Sequence, residues 1–160
     1  MVCSPDAADR RPLATPERTV TTHMNTYLIF DGETRAAMEL YQSILGGTLD
    51  VMTFGDMGME GPAADGVMHA FLHTDGGLRL MASDGGPDNE VVHGTDVAIA
   101  LNGDAEDEAT LRGWYDAFSA AGTVDVPLEK QMWGALFGQV TDPFGIAWMF
   151  NVASGDEPGA

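Results

Sequence analysis

The 160-residue chain carries 44% hydrophobic residues, enough for one packed domain or two small fused modules, and this argues against disorder of the whole chain. Its charge is lopsided: 7 Lys+Arg stand against 25 Asp+Glu, a formal net charge of −18. Phosphate backbones need cationic partners, so nucleic acid is excluded as a partner, and an anionic membrane surface would repel the chain. The single cysteine, Cys3, excludes an internal disulfide and any thiolate-rich zinc or iron–sulfur centre.

In chain order, residues 1–23 hold three prolines and almost no large apolar side chains, and read as a flexible tail. Arg10, Arg11 and Arg18 lie in it without the apolar block of a secretory signal. No apolar run approaches the roughly 18 residues of a membrane span, so the expected location is cytoplasmic. Order is expected from Met24 to Val152 as a single domain of two modules, about 24–84 and 95–152, with a linker at 85–94 and a second tail at 153–160. Residues 55–66, GDMGMEGPAADG, and 85–95, GGPDNEVVHGT, read as loops from their glycines and prolines.

Between the loops the pattern repeats once. YLIFDGETRAAMELYQSILGGTLDVMTFGDMG lies beside VAIALNGDAEDEATLRGWYDAFSAAGTVDVPLEKQMWG, each reading strand, polar turn, amphipathic helix, glycine stop and strand. Ala37, Tyr41 and Ile44 share one helix face; Leu111, Tyr115 and Phe118 share the other's. HAFLHTDGGLRLMAS then matches LFGQVTDPFGIAWMFN, with Thr74–Asp75 set against Thr141–Asp142 in the turns. Each half is thus βαβββ. The expected fold class is α+β, with tandem βαβββ modules forming a curled mixed sheet around a concave pocket.

These strings resemble the vicinal oxygen chelate superfamily, the glyoxalase and bleomycin-resistance fold, and within it the PhnB-like branch. That branch also carries a 3-demethylubiquinone-9 3-methyltransferase-like label. The resemblance rests on YLIFDG, ELYQSILGG, FGDM, VMHA, LMASD and WGALFGQVTDPFGIAWMFNV, over roughly residues 24–152. The methyltransferase label finds no support in the residues. A nucleotide-type cofactor wants a glycine-rich turn between strand and helix, whereas the glycines here sit in hairpin loops or after helices, so no S-adenosylmethionine site is expected.

Metal-dependent members of the superfamily place His or Glu on the first and fourth strand of each half, holding a divalent ion that polarises substrate oxygens. Carried over by strand order, those positions fall at Thr26, about Met81, about Val97 and Met149. A hydroxyl, two thioethers and an aliphatic side chain do not hold Zn²⁺, Ni²⁺ or Mn²⁺, so the family's metal site is expected to be vacated. Other ligand sets are weaker. His69 and His73, four apart on a strand, project from one face about 13 Å apart, too far to share an ion. Glu90 and His93 lie in a loop and His23 in the tail, while Asp56 and Glu60 flank a glycine loop that could rim a pocket. No nucleophile elbow surrounds Ser43, Ser83 or Ser119.

Alternation assigns faces once Met81 and Met149 are fixed toward the pocket. Arg79, Ser83, Ala147 and Asn151 then share their face, Leu28 and Phe30 join Thr26, and Tyr27 and Ile29 point to the helix side. Arg79 is a candidate for holding a carboxylate or phosphate. Trp133, Phe137 and Trp148 are expected to cluster near the C-terminal turn, with Trp133 touching the ligand, and Phe54 and His69 are further pocket candidates implied by the FGDM and VMHA strings. Ten methionines suit an irregular apolar ligand.

The expected function is binding of a small organic molecule in an apolar, Met- and aromatic-lined pocket of a homodimer, without the standard metal. The alternative is a lyase, isomerase or dioxygenase using a non-standard metal or His69 as acid–base group. A His69 that points into the pocket favours catalysis, and one that points away from it favours simple binding.

Overall fold

The computed structural model describes residues 24–86 and 90–153. The readings on Cys3, His23 and most of both tails lie outside these residues. The first module runs β1 (Thr26–Phe30), α1 (Thr34–Leu45), β2 (Thr48–Thr53), β3 (Val67–His73) and β4 (Arg79–Asp84). The second runs β5 (Ile99–Gly103), α2 (Glu108–Ala121), β6 (Thr123–Lys130), β7 (Leu136–Thr141) and β8 (Ala147–Val152). The strands form two mixed four-stranded sheets of matching order, β1-β4-β3-β2 and β5-β8-β7-β6. In each, the first strand runs parallel to the fourth and the other pairs are antiparallel. The class is α+β, with two open sheets and no closed barrel among the described residues.

The helices form where the apolar spacing asks for them. Helix α1 buries Ala37, Met38 and Tyr41, and α2 buries Leu111, Tyr115 and Phe118. The first stops at Gly46, whose φ of +76° suits a residue without Cβ and whose N–H bonds the Gln42 carbonyl at 2.9 Å. A reciprocal box between Asp104 and Asp107 opens the chain into α2.

Two glycines show how the repeat superposes. A Cβ on Gly47 would overlap the carbonyl of His73, and a Cβ on Gly122 would overlap that of Thr141. His73 therefore corresponds to Thr141, and Thr74 to Asp142. The Thr74 hydroxyl accepts from the Leu78 N–H at 3.1 Å, as the Asp142 carboxylate accepts from the Ile146 N–H at 2.9 Å. Matching Thr74–Asp75 with Thr141–Asp142 was thus one residue out, because the dipeptides look alike while the side chain closing each turn differs.

The core lies where both helices meet the inner faces of the sheets. Phe30, Leu72, Leu80 and Ala82 enter it from the first module, and Val140, Trp148, Phe150 and Val152 from the second. Trp148 lies against Phe118, with ring centroids 4.5 Å apart, and against Tyr41 at 5.1 Å. Asp142, 4% exposed, sits at this junction and accepts four hydrogen bonds. Its donors are the Tyr41 hydroxyl at 2.6 Å, the Trp148 indole N–H at 2.9 Å, and the Phe144 and Ile146 backbone N–H groups at 2.9 Å each. Tyr41 belongs to the first module and Asp142 to the second, so a buried carboxylate joins the two. Burial, and then the Asp142 charge, push the Tyr41 phenol well above the usual tyrosine value.

Candidate functional site

The face of the first sheet turned away from its helix is the candidate site, and strand register lays it out in rows. Tyr27, Met81, Phe71 and Asp50 form one row across β1, β4, β3 and β2. Arg79, His73 and Thr48 form the next. Ile29 stands beside Ser83, and His69 beside Met52. Tyr27, Ile29 and Met52 are 47%, 53% and 43% exposed, large apolar groups left in water.

This corrects the faces of the first strand. Phe30 is fully buried and Leu28 packs against the core, so Thr26 shares their inner face, and Tyr27 and Ile29 point outward. The short strand TYLIF is apolar on both faces, so alternation alone could not orient it, and Phe30 decides by filling the core. Thr26 faces a small crevice with Leu72, Leu80 and Trp148. Val97 lies in the connection before β5, 77% exposed, so Ala100, not Val97, stands beside Met149. Arg79, Met81 and Ser83 share the outer face of their sheet, and Ala147, Met149 and Asn151 that of theirs.

The outer faces belong to separate sheets, so the pocket candidates do not converge on one cavity. Trp133 sits in the β6–β7 connection, 54% exposed, while Trp148 is 1% exposed in the core and Phe137 stands on the outer face beside Asn151. The expected aromatic cluster does not form, since alternation separates Trp148 from Phe137. Phe54 packs beside Gly66 at the β2–β3 loop and borders a cavity of about 440 Å³ with Arg35, Asp31 and Asp65. That cavity does not include His69, Met81 or Met149. A larger cleft of about 830 Å³ follows β1, where Tyr27 and Ile29 meet the connection carrying Glu90 and His93.

His69 stands on the outer face. Its Nδ1 lies 3.4 Å from the Tyr27 hydroxyl, with ring centroids 5.9 Å apart. His73 shares the face, stacked on Phe71 at 5.3 Å. Asp56 is held below the usual carboxylate range by hydrogen bonds from the Thr53 N–H and hydroxyl, both at 2.8 Å. It works as a loop cap. Asp84, 8% exposed, accepts from the Thr34 N–H at the start of α1, at 3.1 Å, and from the Val67 N–H at 2.7 Å. Sequence reasoning missed Tyr27, Phe71, Asp84 and Asp142 as individuals, although Asp142 lay inside a motif already singled out.

The family's divalent ion can be tested against these residues. On the parallel strand pairs the outward positions are Tyr27 beside Met81 and Ala100 beside Met149: a phenol, two thioethers and a methyl. Thioethers and a methyl do not fit Zn²⁺, Ni²⁺ or Mn²⁺. Among the described residues, no group of three or more His, Cys, Asp or Glu comes together in metal-binding geometry.

Two βαβββ modules, each with an outward sheet face, define a tandem α+β fold. The family model described as Glyoxalase/Bleomycin resistance protein/Dioxygenase superfamily matches residues 22–150, and the chain belongs to that superfamily. It is 29% identical to Protein YjdN of Escherichia coli K12 over 143 residues, 81% of this chain and 94% of the relative. It is similar in structure to protein PA1353 of Pseudomonas aeruginosa, with TM-score 0.73 and 38% identity, covering 82% of this chain and 98% of that one. A putative 3-demethylubiquinone-9 3-methyltransferase, PhnB protein, of Bacillus cereus shares the fold at TM-score 0.60 and 22% identity, over 82% of this chain and 100% of that one. No helix among the described residues is long and apolar enough to cross a membrane.

Proposed function

We propose that the chain binds a small, largely apolar organic molecule on the outer face of its first sheet, without the superfamily's divalent ion. One observation carries this reading: Tyr27, Met81 and Phe71 form a continuous apolar row across three strands, flanked by Ile29 and Met52. Desolvating such a surface favours association by roughly 25 cal/mol per Å² buried. The thioether and phenol at the family positions supply contact area in place of coordination. A second copy of the chain would shield the remaining exposed apolar groups, among them Met132 and Trp133, and sedimentation equilibrium of a homodimer would return twice the 17.0 kDa chain mass.

The neutral probe 2-naphthamide, followed by fluorescence titration, tests the site. Binding that weakens by about tenfold or more in Phe71→Asp and persists in Met149→Asp is expected, since a carboxylate set into the apolar floor must be desolvated. Equal loss in both variants, or none in either, overturns the assignment to the first sheet.

The Tyr27–His69 contact favours a second reading, an acid–base enzyme of lyase or isomerase type. His69 would take a proton from carbon beside a carbonyl while the Tyr27 hydroxyl donates to the carbonyl oxygen. Exchange of the methyl protons of 2-acetonaphthone in D₂O, followed by NMR, tests it. Exchange above the buffer rate that disappears in His69→Asn favours the enzyme. No excess exchange favours binding alone.

A further inference from the structure

We propose that Arg79 and His73 form an oxyanion subsite at one end of this face, so that the ligand is an organic anion with a flat apolar body. The inference rests on the reading of the outer face as a ligand floor and adds the ligand's charge class. The argument begins with where this acidic chain spends its few cations. The described residues include only Arg35, Arg79, Arg112 and Lys130 among Lys and Arg. Arg112 bonds Glu108 at 2.7 Å, and Arg35 shares its cavity with Asp31 and Asp65. Lys130 follows Glu129 on an outer strand. Arg35, Arg79 and Lys130 alike make no ion pair among the described residues; Arg79 differs in its cross-strand neighbour, which is His73, with Thr48 beyond.

A chain with 25 acidic residues could place a carboxylate opposite an arginine by chance alone. The second sheet carries Thr141 beside Ala147 at the matching place and brings a carboxylate to it. The position matching His73 is Thr141, whose hydroxyl donates to Asp125 at 2.6 Å. In the first sheet the same place carries a guanidinium and an imidazole. Two such donors side by side are poor cross-strand partners for one another and good ones for an oxyanion.

The surroundings suit the same chemistry. The His73 ring is stacked on Phe71 with an interplanar angle of 27°, which fixes the edge it presents; an imidazole offers an N–H in either protonation state. The acid sharing this face is Asp50, on the outer strand beside Phe71 and one row away from Arg79. Met81 and Phe71 lie in the adjoining row, one pleat of about 6.6 Å from the cations, which matches the distance from the oxyanion to the rings of a naphthalene-sized body.

Three probes sharing one body separate the terms: 2-naphthoate, 2-naphthyl phosphate and neutral 2-naphthamide. The expected result is that at least one anion binds about tenfold tighter than the amide, and that Arg79→Gln removes this preference while leaving the amide unchanged. Arg79→Lys keeps part of the preference and His73→Phe lowers it, with melting curves confirming that the variants fold. Whether carboxylate or phosphate gains more identifies the head group. Equal affinities for anion and amide in the wild-type protein, or equal weakening of both by Arg79→Gln, overturn the oxyanion subsite and leave the apolar floor standing. Failure of all three probes to bind overturns both.

Discussion

The two modules share a backbone plan and differ in what they place on it. Both stop their helix at a glycine, both need a glycine where the next strand passes the β3 or β7 carbonyl, and both order their strands identically. Their outer faces diverge. The first holds Tyr27, His69, Phe71, His73, Arg79 and Met81; the second holds Ala100, Asn102, Phe137, Gln139, Met149 and Asn151. The positions of His69, His73 and Arg79 in the first sheet are taken by Phe137, Thr141 and Ala147 in the second. The two modules therefore agree at the positions that backbone sterics dictate and differ at the solvent-facing ones. The buried acids diverge as well: Asp84 serves α1 and a strand within its own module, whereas Asp142 bonds across the junction.

The sharpest way to break the comparison is at these acids. Asp142→Ala leaves four donors without their acceptor, two of them buried and two half-buried, and a loss of about 3–5 kcal/mol in urea unfolding is expected. Asp84→Ala orphans two donors and costs about 2–3 kcal/mol on the same assay. Equal losses would mean that the junction bond adds nothing beyond local satisfaction.

The paired glycines come next. Gly47→Ala combines a collision with the His73 carbonyl and a φ of +89°, while Gly122→Ala brings only the collision with Thr141, its φ being −118°. Both variants should lose stability by about 1–3 kcal/mol, Gly47→Ala by more. A reversed order would show that the second module is the less yielding of the two.

Tyr41→Phe removes one of the four bonds to Asp142 and is expected to cost about 1–2 kcal/mol at neutral pH. Its pH dependence carries a sign. The folded-state phenol titrates above its unfolded value, so the stabilisation is full below about pH 10 and is lost as pH rises beyond it, by about 1.4 kcal/mol per unit. Thermal melts should show a steeper alkaline decline in wild-type protein than in Tyr41→Phe. Parallel declines would remove Tyr41 as the cause.

Much of the fold was legible because its signals were redundant. Helix faces at Ala37–Tyr41 and Leu111–Phe118, glycine stops and two Thr-Asp turns all pointed to a repeated βαβββ unit. The site was less legible. TYLIF offers apolar residues on both faces, so one wrong choice reversed Thr26 and Tyr27, and a short connection moved Val97 out of its strand. Trp133 and Trp148 both read as aromatic anchors, yet one is an exposed loop residue and the other a core ring, a difference that only packing against α2 decides. Asp142 looked like a turn former, and nothing local announced that Tyr41 would reach it from 101 residues away.

The central claim, apolar recognition on the first sheet without the superfamily's metal, is tested most directly by titrating 2-naphthamide into one preparation twice. The first titration uses protein dialysed against a chelator, and the second uses the same protein reloaded with Zn²⁺, Ni²⁺ or Mn²⁺. Tyr27, Met81 and Phe71 as the floor predict the same dissociation constant in both. Binding that appears only after a divalent ion is restored would contradict the account.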